Sequence, residues 1–157
     1  KVHTFDYAKP GDELPRPRPV LVRLADRKPL AIDDALFPNH FSESGVLDVR
    51  WSPRSDEFFF DYNQRGHQVV RLVGLNPGTG RLRTVAEEKF ETFVDYPNKI
   101  WMHWLEGSKK LLWMSERSGW NHLYLIDVLY GRGLCPLPFA YNMVSRIYYE
   151  LFSIWTI

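Results

Sequence analysis

Nucleophilic hydrolysis needs a serine on a sharp strand-to-helix elbow, a histidine base and an acid that orients the histidine. The residue types are present: Ser115 lies in the run Ser115-Glu116-Arg117-Ser118-Gly119, and His67, His103 and His122 are spread along the chain. No Gly-x-Ser-x-Gly occurs anywhere, so Ser115 reads as a strand end before a hairpin. None of the three histidines has a second metal ligand at a recognised spacing. They read as hydrogen-bonded residues in or beside strands. The single cysteine, Cys135, excludes an internal disulfide framework and a multi-cysteine zinc site. Gly78-Thr79-Gly80 is half of a dinucleotide fingerprint, but no third glycine or helix follows, so it reads as a turn. Arg16 and Arg18 stand among prolines and read as a solvated loop. No catalytic residue, metal or cofactor is expected in this segment.

The elements that would position such groups are strands. Aromatic residues make up 15% of the chain, and Trp, Tyr and Phe pack well on pleated sheets. The net charge of +1 supplies no electrostatic reason for nucleic acid or an anionic membrane as partner. No run reaches the roughly 18 uncharged apolar residues of a membrane span. The most apolar stretch is interrupted by Pro136, Pro138, Arg146 and Glu150. Lys1 opens the chain without a Met or a signal-like leader, so a cut within a longer polypeptide is expected.

Laid on itself at an offset of 53 residues, the sequence repeats without a gap. Trp51 falls on Trp104, Phe58-Phe59-Phe60 on Leu111-Leu112-Trp113, Gly66 on Gly119, and Val70–Val73 on Leu123–Ile126. Periods near this length, built from strands, mark propeller blades. The first copy predicts strands over Val46–Trp51, Glu57–Tyr62, His67–Leu75 and Arg81–Val85, with turns at Ser52–Ser55, Asn63–Gly66 and Asn76–Gly80. The second predicts Lys99–Leu105, Lys110–Ser115 and Asn121–Val128. No segment sustains the helical period.

The expected fold is all-β: a partial β-propeller of about three blades, each a four-stranded antiparallel meander. Residues 1–45 read as the end of one blade plus a Pro-rich connection. Strands are expected at Val2–Tyr7, Pro19–Ala25 and Pro29–Ile32. Residues 46–98 are a complete blade, 99–127 most of the next, and 128–157 a divergent tail. That tail holds 3 charged residues of the chain's 39, which suggests a frameshift or truncation. Blades cut from a ring expose their faces, so the isolated chain is expected to associate.

The string WMSERSGWNHLYLID, Trp113–Asp127, resembles the dipeptidyl peptidase IV family of the prolyl oligopeptidase group. YAKPGDELPRP (Tyr7–Pro17), DYNQRGHQVVRL (Asp61–Leu72), TGRLRTVAEE (Thr79–Glu88) and ETFVDY (Glu91–Tyr96) are similar to its bacterial branch and stand in the family's order. The resemblance covers residues 5–127 and fails after Asp127. It implies an eight-bladed propeller capping an α/β-hydrolase domain, with dipeptides released from peptide N-termini after Pro or Ala. This segment would then lie downstream of the paired glutamates that hold the substrate amine and upstream of the catalytic Ser, Asp and His. Glu87-Glu88 matches that glutamate pair in type but not in position, and reads as a solvated loop pair.

The same resemblance sets Tyr96 where the family places an aromatic facing the S2 side of the cavity. Its plainer reading is an aromatic packed between blades. Trp51, Trp104, Trp113 and Trp120 recur at blade spacing and read as inter-blade packing. Arg65 and Arg117, beside hairpins, read as salt links between blades. The parent is expected to be a periplasmic or secreted serine-type dipeptidyl peptidase that handles peptide substrates and forms a homodimer. This segment would be a non-catalytic part that gates and orients substrate. The alternative is a free-standing propeller that binds proteins or peptides without peptidase activity.

Overall fold

A strand with one apolar face must bury that face against a neighbour, and this chain solves the problem by stacking sheets. The structure, a computed structural model, describes residues 2, 9, 11–13, 15–42, 46–52, 54–105, 107–129 and 132–136. Residues 3–7 of the strand expected at Val2–Tyr7, and residues 130–131 and 137–157 of the expected tail, lie outside the described residues. A small hairpin, β1 (Val22–Arg23) and β2 (Lys28–Pro29), comes first. The first full sheet is an antiparallel meander of β3 (Val49–Trp51), β4 (Phe58–Asn63), β5 (Val69–Leu75) and β6 (Leu82–Lys89). The second repeats it with β7 (Met102–Trp104), β8 (Lys110–Ser115), β9 (His122–Asp127) and β10 (Arg132–Pro136). Among the described residues no helix is long and apolar enough to cross a membrane.

The sequence repeat is also a repeat of packing. Phe58, Phe60, Val73 and Leu75 bury one face of the first sheet against Phe37 and Leu47, with Leu21, Ile32 and Leu36 at the margin. The residues 53 positions later, Leu111, Trp113, Ile126 and Val128, bury the matching face of the second sheet against the first. The first sheet meets them with its other face, through Phe59, Val70, Leu72, Val85 and Ala86. Period-2 alternation along β4 and β5 therefore feeds two separate cores, one behind the sheet and one ahead of it. Each core position is worth about 1.5–3 kcal/mol of apolar burial. The β3 residues Val49 and Trp51 are about half exposed, whereas their counterparts Met102 and Trp104 pack on the seam between the sheets.

Departures from strict repetition have local causes. Both copies pair their first two strands identically, Val49 with Phe60 and Met102 with Trp113. The next hairpin differs: Phe58 pairs with Leu75, but Leu111 pairs with Ile126. This is a slip of two residues, which keeps every side chain on its face. His67, expected at the start of a strand, instead sits in the hairpin loop with a φ of 58°, next to Gly66 at 98°. Gly80 has a φ of 74°, and a Cβ there would stand 2.4 Å from the Ala31 carbonyl oxygen, so this turn requires glycine.

Three expectations are corrected. A one-turn helix, α1 (Tyr96–Lys99), precedes β7 where no helix was expected; Pro97 in its first turn has the fixed φ that suits a helix start. Trp120 is 77% exposed and Trp51 49%, so neither packs between the two sheets as Trp104 and Trp113 do. The boundary drawn after Asp127 falls inside the second sheet, because β10 pairs with β9 as its fourth strand. The connection leading to it is shorter than in the first copy, where Leu75 is followed by Leu82 across the turn; here Asp127 pairs with Arg132.

Candidate functional site

The chemistry-bearing side chains gather along the seam between the two sheets. A bulge in β6 decides which of them enter it. Leu72 pairs with Ala86 but Val73 pairs with Thr84, leaving Val85 as the extra residue. Bulges reverse the facing of all that follows. Glu88 consequently points into the seam and is 2% exposed, while Glu87 points the other way and ion-pairs with Arg71. The reading of these two acids as a solvated loop pair is thus overturned: both belong to a strand, and one is buried.

Glu88 accepts hydrogen bonds from the Trp113 indole N–H at 2.8 Å and from Arg117 Nη2 at 2.7 Å. Both donors come from the second sheet, so Arg117 is the link between sheets that its hairpin position suggested. Its guanidinium also donates to Ser115 Oγ at 2.8 Å and lies 4.8 Å over the Tyr124 ring. Ser115 is wholly buried and accepts from Arg117. His122 stands opposite it in the ladder, yet no hydrogen bond joins the two. This is a structural hairpin serine. Arg65 makes no ion pair among the described residues; its guanidinium donates to the Asp12 carbonyl at 3.5 Å and its backbone N–H to the Asn39 carbonyl at 2.9 Å.

At one end of the seam a cleft of about 300 Å³ opens beside Tyr96, lined also by Phe41, Asp61, Tyr62 and Trp113. Tyr96 begins α1, is half-buried and packs on the seam core. Its ring stacks on His67 with centroids 4.6 Å apart and planes at 28°. Of the other two histidines singled out from sequence, His103 stacks on Trp101 and His122 is exposed on β9. Among the described residues no three His, Cys, Asp or Glu converge to hold a metal. Arg18, expected in a solvated loop, ion-pairs with Asp34. Sequence reasoning named Glu88 and His67 but missed the burial of the first and the contact of the second with Tyr96. The first is hidden by a bulge; the second carries only the weak signal of a histidine following a turn glycine.

Asp61 in this cleft bonds Arg50 at 3.0 Å, while its Oδ1 is buried without a partner. Burial pushes its carboxyl up to about 6; Arg50 opposes the rise and Asp48 adds to it. Folded Asp61 therefore holds its proton more tightly than the unfolded chain does. Its contribution to stability is greatest at low pH and is lost as pH climbs from about 4 through about 6. Asp61→Asn is expected to be more stable than wild type at pH 7 by about 1 kcal/mol, after allowance for partial solvent screening, and to lose that advantage at pH 4. Urea midpoints at the two pH values check this; an advantage independent of pH would contradict it.

The dipeptidyl peptidase IV (DPP IV) N-terminal region family model matches residues 1–142. The chain belongs to that family. The match runs past Asp127, where the resemblance read from sequence stops, and it takes in β10. This DPP IV-type segment superposes on the crystal structure of Porphyromonas gingivalis dipeptidyl peptidase 4 with a TM-score of 0.58 and 15% identity, over 77% of this chain and 16% of that one. A Bacteroides ovatus protein described as a dipeptidyl aminopeptidase IV is 23% identical over 68% of this chain and 15% of its own, with a TM-score of 0.46. The first of these likenesses and the two stacked meanders make the fold a partial β-propeller. The chain spans about one sixth of the length of these solved relatives.

Proposed function

We propose that this DPP IV-type chain is a non-catalytic part of the propeller of a serine exopeptidase that removes N-terminal dipeptides after Pro or Ala. Its contribution is to narrow the access path and orient the peptide. The observation that carries this reading is the shared core between consecutive sheets, within a chain that matches the family's N-terminal region. Stacked blades of this kind form a rigid wall, which suits exclusion of folded proteins and admission of short peptides. Tyr96, at the mouth of the cleft, is proposed to offer one ring edge to the substrate's N-terminal residue. Bond cleavage is assigned to an α/β-hydrolase domain elsewhere on the same polypeptide. The parent is proposed to act as a homodimer in the periplasm or outside the cell.

The test is hydrolysis of Gly-Pro p-nitroanilide by the full-length gene product and by the 157-residue chain. Turnover by the first and none by the second is expected. Activity in the short chain alone would overturn the non-catalytic assignment. An inert full-length product would overturn the peptidase reading.

A further inference from the structure

Tyr96 begins a single helical turn and is only half-buried, so its ring orientation depends on supports from other elements, among them the seam core and Phe41, edge-on at 6.3 Å. His67 supplies one from a different element, the β4–β5 hairpin. Its backbone is in the left-handed region that residues with a Cβ rarely occupy, directly after a left-handed Gly66. Such a conformation persists where its surroundings over-determine it. Here they do. Asn63 Oδ1 lies 3.1 Å from the His67 ring nitrogen Nδ1, and Phe41 and Phe93 meet the ring edge-on at 4.7 and 5.7 Å. The His67 carbonyl accepts the Val94 N–H at 2.7 Å, and the Val94 carbonyl accepts the Tyr96 N–H at 2.7 Å. The hairpin thus grips the segment leading to Tyr96 by its backbone and the Tyr96 ring by its face.

We propose that His67 is a positioning residue that acts through Tyr96, fixing the ring against which the N-terminal side chain of a peptide substrate rests. This rests on the reading of Tyr96 given above. The geometry makes a specific demand: removing the imidazole should matter only while Tyr96 is present. His67→Gly and His67→Asn both tolerate the positive φ and remove the ring, so either can be used if the other folds poorly.

In the full-length gene product, Tyr96→Ala is expected to raise KM for Gly-Pro and Lys-Pro p-nitroanilides about tenfold, the size of a lost aromatic contact. His67→Gly should raise KM about three- to fivefold with kcat unchanged, and His67→Phe, which restores a stacking ring, should recover part of that loss. The double variant should be no worse than Tyr96→Ala alone. Multiplicative effects in the double variant would overturn the inference. So would an unchanged KM in both His67→Gly and His67→Asn while Tyr96→Ala raises it. An unchanged KM in Tyr96→Ala would instead remove the substrate role of Tyr96, and this inference with it. Independently of activity, the Tyr96 ring-proton resonances of the 157-residue chain should move downfield in His67→Gly; unmoved resonances would show that no stack exists to do the positioning.

Discussion

Glu88→Ala is expected to destabilise the fold by about 3 kcal/mol, seen as a lower urea midpoint with little change in slope. The carboxylate is 2% exposed and is the acceptor for Trp113 Nε1, whose residue is itself 1% exposed. Without it the indole N–H is buried with no acceptor, a loss of about 1–3 kcal/mol. Arg117 is partly exposed and can turn to solvent, so its share is smaller than that of a fully buried ion pair. Glu88→Gln keeps an acceptor for the indole and a neutral one for Arg117, and should cost about 1 kcal/mol. A Glu88→Ala variant as stable as wild type would mean that the bulge at Val85 does not turn this side chain into the seam.

Trp113→Ala is expected to cost about 4 kcal/mol, near the upper end for truncating a large core side chain. Its ring is part of the core shared by both sheets, so the cavity would open between sheets rather than within one. Trp113→Phe should cost about half as much, because most of the volume stays while the bond to Glu88 is lost. The repeat supplies a control. Phe60, 53 residues earlier, is fully buried in the equivalent place against the N-terminal segment, with Phe37 edge-on at 5.2 Å. Phe60→Ala should destabilise by a similar amount, about 3–4 kcal/mol. The two positions do the same work in successive seams.

Those equivalences explain what the sequence made legible. Offset repetition of Phe58-Phe59-Phe60 and Leu111-Leu112-Trp113 exposes a blade because apolar type and spacing alone decide which residues can cover a neighbouring sheet. Strand positions followed from the same alternation, usually within two residues. What stayed hidden depends on backbone events that leave composition unchanged. One inserted residue at Val85 turned Glu88 from an apparent loop acid into the most buried charge among the described residues. Two successive left-handed residues, Gly66 and His67, lifted a histidine out of a run that otherwise alternates as a strand. The fourth strand of the second sheet escaped notice because its connection lacks the Asn-Pro-Gly punctuation of the first copy. Tyr96 came from likeness to a family; no pattern of spacing would have singled it out.

Face-to-face packing of consecutive sheets is most directly tested by a double-mutant cycle between Phe59 and Trp104, whose rings lie 4.8 Å apart across the seam. Urea unfolding of Phe59→Ala, Trp104→Ala and the double variant should give a coupling of about 1 kcal/mol, as expected for a packed aromatic pair. Strict additivity, within about 0.3 kcal/mol, would contradict the account, because residues on sheets that do not touch have no interaction to lose.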